Sequence, residues 1–285
     1  MKQKQMTPLS FWQSVLFFIL FLAFYACGQR AYESYFLRAA NYPSFGNLWT
    51  PGPHGDGEIQ GVAHDADNWF FTFTQGDIGY LYKVPVEIPL DNSALLNAKV
   101  SKTDMTKFTD LKAKKYWHWG DPDYYAYSGT GYVVVPIGGS PPIIAIFRSR
   151  NLTLAAYGEL KQQKSTGWCA IHPLTGELYT SEDFDYAPPV ANCDDQSHHL
   201  RYPRKLLRYI VPWDKLPSSG YSGKINLTNN SYVEMLISSG GEMELYNMQG
   251  GEFTDSGELL FISSGSGCCM GYGHGQQYWI DGIHV

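Results

Sequence analysis

From Gly57 onward the chain alternates short apolar runs with clusters of Gly, Pro, Asn and Asp. The runs Trp69–Thr74, Tyr80–Val84, Tyr132–Pro136 and Ile143–Phe147 are rich in β-branched and aromatic side chains. So are Leu178–Ser181, Leu207–Val211, Tyr232–Leu236 and Leu259–Ser263. Short runs bounded by turn formers predict strands. Several, Tyr132–Val135 among them, show little polar alternation, which predicts burial on both sheet faces. Sustained helical periodicity is scarce, and Thr103–Lys115 is the best helical segment. The pattern therefore predicts an all-β fold.

Internal echoes narrow the architecture. His54-Gly55-Asp56 stands ahead of Trp69, as His118-Trp119-Gly120-Asp121 stands ahead of Tyr132, each with an acidic residue two further on, Glu58 and Asp123. Tyr82–Pro85 matches Tyr209–Pro212, two strands ending in proline. Thr166–Thr180 and Gln249–Phe261 both open on glycine, turn on a pair ending in Gly and run Glu-Leu into a further strand. In these segments the chain resembles β-propeller repeats of the broad six- or seven-bladed kind. The resemblance covers about Gly57 to Val285 and implies four-stranded antiparallel blades around an axis. Blade-like units are expected at about 55–90, 118–160, 166–212 and 248–285, with Ser218–Glu244 as outer strands or part of another blade. The last unit lacks its outer edge in this reading, so the propeller is expected to be incomplete at its C-terminal end unless an N-terminal strand completes it. A two-sheet sandwich is the alternative.

The 285 residues carry 21 Lys plus Arg against 27 Asp plus Glu, a net charge of −6, which leaves too few cations for a nucleic-acid-binding face. Hydrophobic residues at 44% exclude wholesale disorder.

The N-terminus changes the expected address. Lys2 and Lys4 precede the apolar run Val15–Ala26 and then Cys27 and Gly28, a secretory-signal pattern over residues 1–28. Ala23–Cys27 resembles a bacterial lipobox, which would make Cys27 a lipidation point. Ala26-Cys27-Gly28 also fits ordinary cleavage, and an uncleaved anchor is the third reading. Each places residues 29–285, one propeller-like domain, outside the cytoplasm, with membrane attachment only through the N-terminus. Four Cys then remain: Cys169, Cys193, Cys268 and Cys269. In an oxidising compartment they allow three pairings, of which Cys169–Cys193, closing a long loop, is favoured.

Candidate chemistry follows from the repeated His and Gly-Asp elements. Residues at the start of inner propeller strands line the central channel, so His54, Asp56, Glu58, His118, Asp121 and Asp123 are expected at one mouth, with His274 joining from the Gly-rich stretch 265–275. His54, Asp56, His118 and Asp121 are the expected ligand set for a divalent cation, calcium or zinc. The same residues would equally serve by hydrogen-bonding exposed backbone at blade junctions. His64-Asp65-Ala66-Asp67-Asn68 reads either as a cation loop or as a tight turn between strands. The insertion 186–205, with His198, His199 and Asp194, is long enough to be a binding loop. The aromatics from Tyr116 to Tyr125 lie beside carboxylates, as in glycan sites, or fill the wedges between blades.

Three functions fit this chemistry. The favoured one is an extracytoplasmic, lipid-anchored binding or interaction module with a polar channel, taking a small molecule, glycan or protein ligand. A metal-assisted hydrolase of the lactonase-like or phytase-like propeller type and a carbohydrate-binding surface protein are the alternatives. No Gly-x-Ser-x-Gly elbow or Walker loop is present.

Overall fold

Each of the eight apolar runs contributes to a strand because its backbone groups pair within one of four sheets while its apolar side chains face neighbouring sheets. The structure, a computed structural model, describes residues 58–88, 98–113, 116, 118–182, 205–217, 219–235, 248–264 and 282–284. The segment 1–28, with Cys27, lies outside the described residues, as do His54, Asp56, Cys193 and His274.

Sheet 1 has the order β1 (Glu58–His64), β2 (Asn68–Gln75), β3 (Ile78–Pro85) and β4 (Ser101–Asp104), antiparallel throughout. Sheet 2 contains β5 (Asp123–Tyr127), β6 (Thr130–Ile137), β7 (Ile143–Arg148) and β8 (Leu154–Glu159). Sheet 3 is built from β9 (Ala170–Ile171), β10 (Leu178–Thr180), β11 (Lys205–Ile210) and, beyond a crossover, β13 (Thr228–Glu234). The short strand β12 (Lys224–Ile225), on that crossover, pairs parallel with β8 and so becomes the outer edge of sheet 2. Sheet 4 comprises β14 (Met248–Phe253), β15 (Leu260–Ser264) and β16 (Gly282–His284). Within Ser218–Glu244, β12 and β13 thus supply edge strands to two sheets. The described fold is all-β.

Local chemistry sets the connections. Ser128 and Gly129 form the two-residue loop between β5 and β6 with φ of 47° and 77°, the left-handed pair of a type I′ hairpin turn. Between β1 and β2, the Asp65 Oδ1 accepts from the N–H groups of Asp67 (2.9 Å) and Asn68 (2.7 Å), while the Asp65 N–H donates to the Asn68 carbonyl. This oxygen is committed to closing the turn, as the tight-turn reading requires.

The expected helix over Thr103–Lys115 is corrected. Thr103 is buried in β4 opposite Leu81, and Asp104 accepts from the Thr106 N–H to cap a single 3₁₀ turn, Met105–Lys107. Phe108, in extended conformation, interrupts the chain and packs against Phe147, leaving one helical turn at Thr109–Ala113. Sheet pairing and aromatic burial override the weak helical preference.

The core lies between sheets, not within one central cluster. Along β6, Val133, Val135 and Ile137 join Phe70, Leu81 and Trp119 between sheets 1 and 2. Alternate residues Tyr132 and Val134 turn the other way, towards Ile171, Leu178 and Tyr209 of sheet 3. The same alternation divides β7, so β6 and β7 are apolar on both faces. A third cluster joins Ala170 and Leu206 of sheet 3 to Met248 and Ile262 of sheet 4. The sheets therefore pack in chain order. Each fully buried Val or Ile in these layers contributes about 1.5–3 kcal/mol.

Candidate functional site

The first strands of successive sheets touch one another: β1 meets β5, β5 meets β9, and β9 meets β14. This convergence brings Asp121 and Asp123 together, on the segment leading into β5. The Asp121 backbone is itself tied to the next sheet, since its N–H donates to the Gly167 carbonyl at 2.8 Å and its carbonyl accepts from Cys169.

The Asp121 side chain bridges sheets 1 and 4. Its Oδ1 accepts from the Val62 N–H of β1 at 3.0 Å, and its Oδ2 accepts from the Gly251 N–H of β14 at 3.3 Å. Asp123, 6% exposed, accepts from the N–H of Tyr124 through Oδ1 and from Ile171 of β9 through Oδ2. The two carboxyls hold the first strands of all four sheets in register. They act as the junction hydrogen-bond acceptors that the Gly-Asp repeat permits.

Burial dominates their electrostatics. The Asp121 carboxyl is pushed up to about 8 by desolvation, opposed by the Val62 and Gly251 N–H groups and reinforced by Glu252. Asp123 is raised well above the ordinary carboxyl range by burial first and by Glu252 next, against the opposing N–H bonds. Proton uptake thus relieves a crowded group of acids. Cys169, fully buried beside them, has its thiol raised by desolvation and then by the charges of Asp123 and Asp121. It carries a free thiol that lies against the Val134 carbonyl.

Glu252 on β14 and His64 at the end of β1 form the accessible part of this cluster. Partial burial raises the Glu252 carboxyl, His64 lowers it, and Asp255 raises it. His64 stands edge-on to Trp69, with ring centroids 5.3 Å apart. An imidazole, a carboxylate and an aromatic face can accept and donate hydrogen bonds to a polar ligand while shielding one side from water. Sequence reasoning placed Glu252 only in a strand echo. Its sole signal was that this echo aligns β14 with the segment leading through β9.

The expected residues separate into distinct positions. Asp121 and Asp123 converge. Glu58 opens β1, and His118 lies half-buried before Trp119, its carbonyl accepting from the Gly138 N–H at 2.8 Å. Among the described residues, no group of three His, Cys, Asp or Glu side chains is arranged to hold a metal ion. Both Asp121 oxygens already serve backbone donors. His54, Asp56 and His274 belong to segments outside the described residues.

No protein-family profile matches the chain, and no curated protein matches it. Solved structures do resemble it. The major Malassezia sympodialis allergen Mala s 1 aligns with 74% of this chain and 73% of its own, at 11% identity and a TM-score of 0.37. The structure of U3-55K aligns with 79% of this chain and 66% of its own, at 8% identity and a TM-score of 0.36. The WD40 domain of Toxoplasma gondii coronin aligns with 72% of this chain and 64% of its own, at 8% identity and a TM-score of 0.28. The chain thus spans just under two thirds of the length of the last two structures it is similar to.

Proposed function

We propose that this chain is an extracytoplasmic β-propeller binding module, with sheets 1 to 4 as successive blades and β1, β5, β9 and β14 as their inner strands. The observation that carries this reading is the Asp121 carboxyl, which bonds Val62 of sheet 1 and Gly251 of sheet 4 at once. Sheets that pack serially, first to second, second to third and third to fourth, would not bring the first and last to one side chain if they formed a flat stack. Curvature about an axis does so, and the resulting mouth is polar. Residues 1–28 serve as the export signal and Cys27 as the lipid attachment point, so the module faces outward from a membrane it does not enter.

In this module Asp121 and Asp123 hold the mouth together, while His64 and Glu252 meet the ligand. Their exposure beside Trp69 suits a hydroxyl-rich small molecule, a glycan or a polar segment of a protein. The test is ligand-induced thermal stabilisation of the purified mature chain with an oligosaccharide panel and with divalent cations. A rise in Tm with an oligosaccharide, lost in His64→Ala and Glu252→Gln, assigns glycan binding to this mouth. A stoichiometric cation lost in His118→Ala, with esterase or phosphatase turnover, assigns the hydrolase alternative. An experimental structure with β1 and β14 at opposite ends of the molecule overturns the proposal.

A further inference from the structure

A cleft lies at the end of sheet 2 where the β5–β6 and β7–β8 turns come together. The cleft has a volume of about 860 Å³ and is walled by 107–110, 129–131, 219–221 and, from the β7–β8 turn, 148, 150, 151, 153 and 154. Its charge is opposite to that of the chain. Lys107, Arg148 and Arg150 line it against a single acid, Asp110, whereas the whole chain carries −6. Asp110 is also partly engaged, accepting from the Tyr221 hydroxyl at 3.2 Å.

Arg148 makes the cleft more than a basic patch. It is 6% exposed, its Nη2 donates to the Pro217 carbonyl, and its Nη1 reaches Thr153 Oγ1 at 3.4 Å. Its Nε is buried with no acceptor, and no carboxylate among the described residues pairs with the guanidinium. A guanidinium withdrawn from water and balanced only by a carbonyl and a hydroxyl is an uncompensated charge. The planar fork suits a carboxylate, sulfate or phosphate, which accepts two parallel hydrogen bonds. A cleft of this volume admits a whole small molecule, with Phe108 and Leu154 as its apolar wall.

We infer that this cleft binds a small organic oxyanion, with Arg148 as its anchor and Arg150 and Lys107 as the outer cations that draw it in. Arg150 is exposed and Lys107 is exposed, so each can swing toward the ligand without disturbing the core. The site takes its ligand independently of the acidic mouth, which would repel the same anion. It therefore adds a second recognition surface of opposite sign to the proposed module.

Isothermal titration of the mature chain with sodium glucuronate, inorganic phosphate and glucose tests the inference. Glucuronate or phosphate is expected to bind and glucose is not; which oxyanion binds separates a carboxylate ligand from a phosphate ester. Lys107→Ala with Arg150→Ala is expected to weaken binding by about tenfold or more with little change in the Tm of the free protein. Arg148→Met keeps the length and packing of the side chain, so the free protein retains or gains Tm while anion binding disappears. No heat with either anion up to about 10 mM overturns the inference. So does an Arg148→Met variant that binds the anion like the wild type, or a double variant of unchanged affinity.

Discussion

Asp121 occupies the space that a side chain at position 61 would need. A Cβ on Gly61 would run into the Asp121 Oδ1 and its Cα, so β1 can approach β5 only because residue 61 has no side chain. The glycine lies where β1 shifts register against β2, between Ile59 and Gly61, one residue before the Val62 N–H that Asp121 accepts. Gly61→Ala would push the strands apart and break that hydrogen bond. Overpacking and the lost hydrogen bond together are expected to cost about 2–4 kcal/mol, read as a lower midpoint in urea unfolding. A wild-type midpoint in this variant would show that the approach is not tight.

The acidic junction predicts how stability depends on pH. Burial raises the Asp121 carboxyl from its ordinary 3.8 to about 8, so the folded chain holds a proton that the unfolded chain releases. The associated stability is fully present below about pH 4 and is lost as pH rises through about 8. Asp123 shifts in the same direction. Thermal unfolding should therefore show Tm falling between pH 5 and pH 9. Asp121→Asn, which mimics the protonated acid, should flatten part of that slope, and Asp121→Ala should flatten it too while costing about 1–2 kcal/mol at low pH through the lost Val62 and Gly251 hydrogen bonds. A Tm that climbs across this range in the wild type would contradict the buried, protonated acid.

All eight apolar runs overlap observed strands, because burial on one or both sheet faces writes itself directly into side-chain type. Ile143–Phe147 could be recognised as doubly buried since every position is apolar. The first strands of the later sheets were harder to read. β9 has two residues, and β5, Asp-Tyr-Tyr-Ala-Tyr, is polar at its start, because both lie at the convergence where backbone donors need side-chain acceptors. The Gly-Asp repeat carried that information, and it led to Asp121 and Asp123. It did not reveal Glu252, whose role depends on which strand arrives beside β1 and β5, a long-range relationship absent from local pattern. The Arg148 cleft was invisible for the same reason. Its walls come from four segments, and an Arg ending a strand looks like ordinary surface charge until its burial is seen.

Trp168 links sheets 3 and 4 and gives a second measure of the junction. Its ring fills the place of a side chain at Gly251, and its Nε1 donates to Ser181 Oγ at 2.8 Å. Replacing it by Phe removes the donor and part of a fully buried ring, with an expected loss of about 2–3 kcal/mol. Gly251→Ala should be severe in the wild type and milder beside Trp168→Phe. A double-mutant cycle then reports a coupling of about 1 kcal/mol or more. Additive effects would mean that the ring and the glycine do not meet.

Cys169 makes the final prediction, on reactivity. Its thiol is free, fully buried and raised by desolvation and by the nearby Asp123 and Asp121, so very little thiolate forms near neutral pH. Alkylation requires the thiolate, and the reagent must also reach the sulfur. In the native protein at pH 8, iodoacetamide should therefore leave Cys169 unmodified, and unfolding in guanidinium without reductant should expose it to complete labelling, scored by peptide mass. Native labelling within minutes would show that the junction opens readily. A peptide that labels only after reduction would place Cys169 in a disulfide, and the mass of its cross-linked partner would show whether that partner is Cys193.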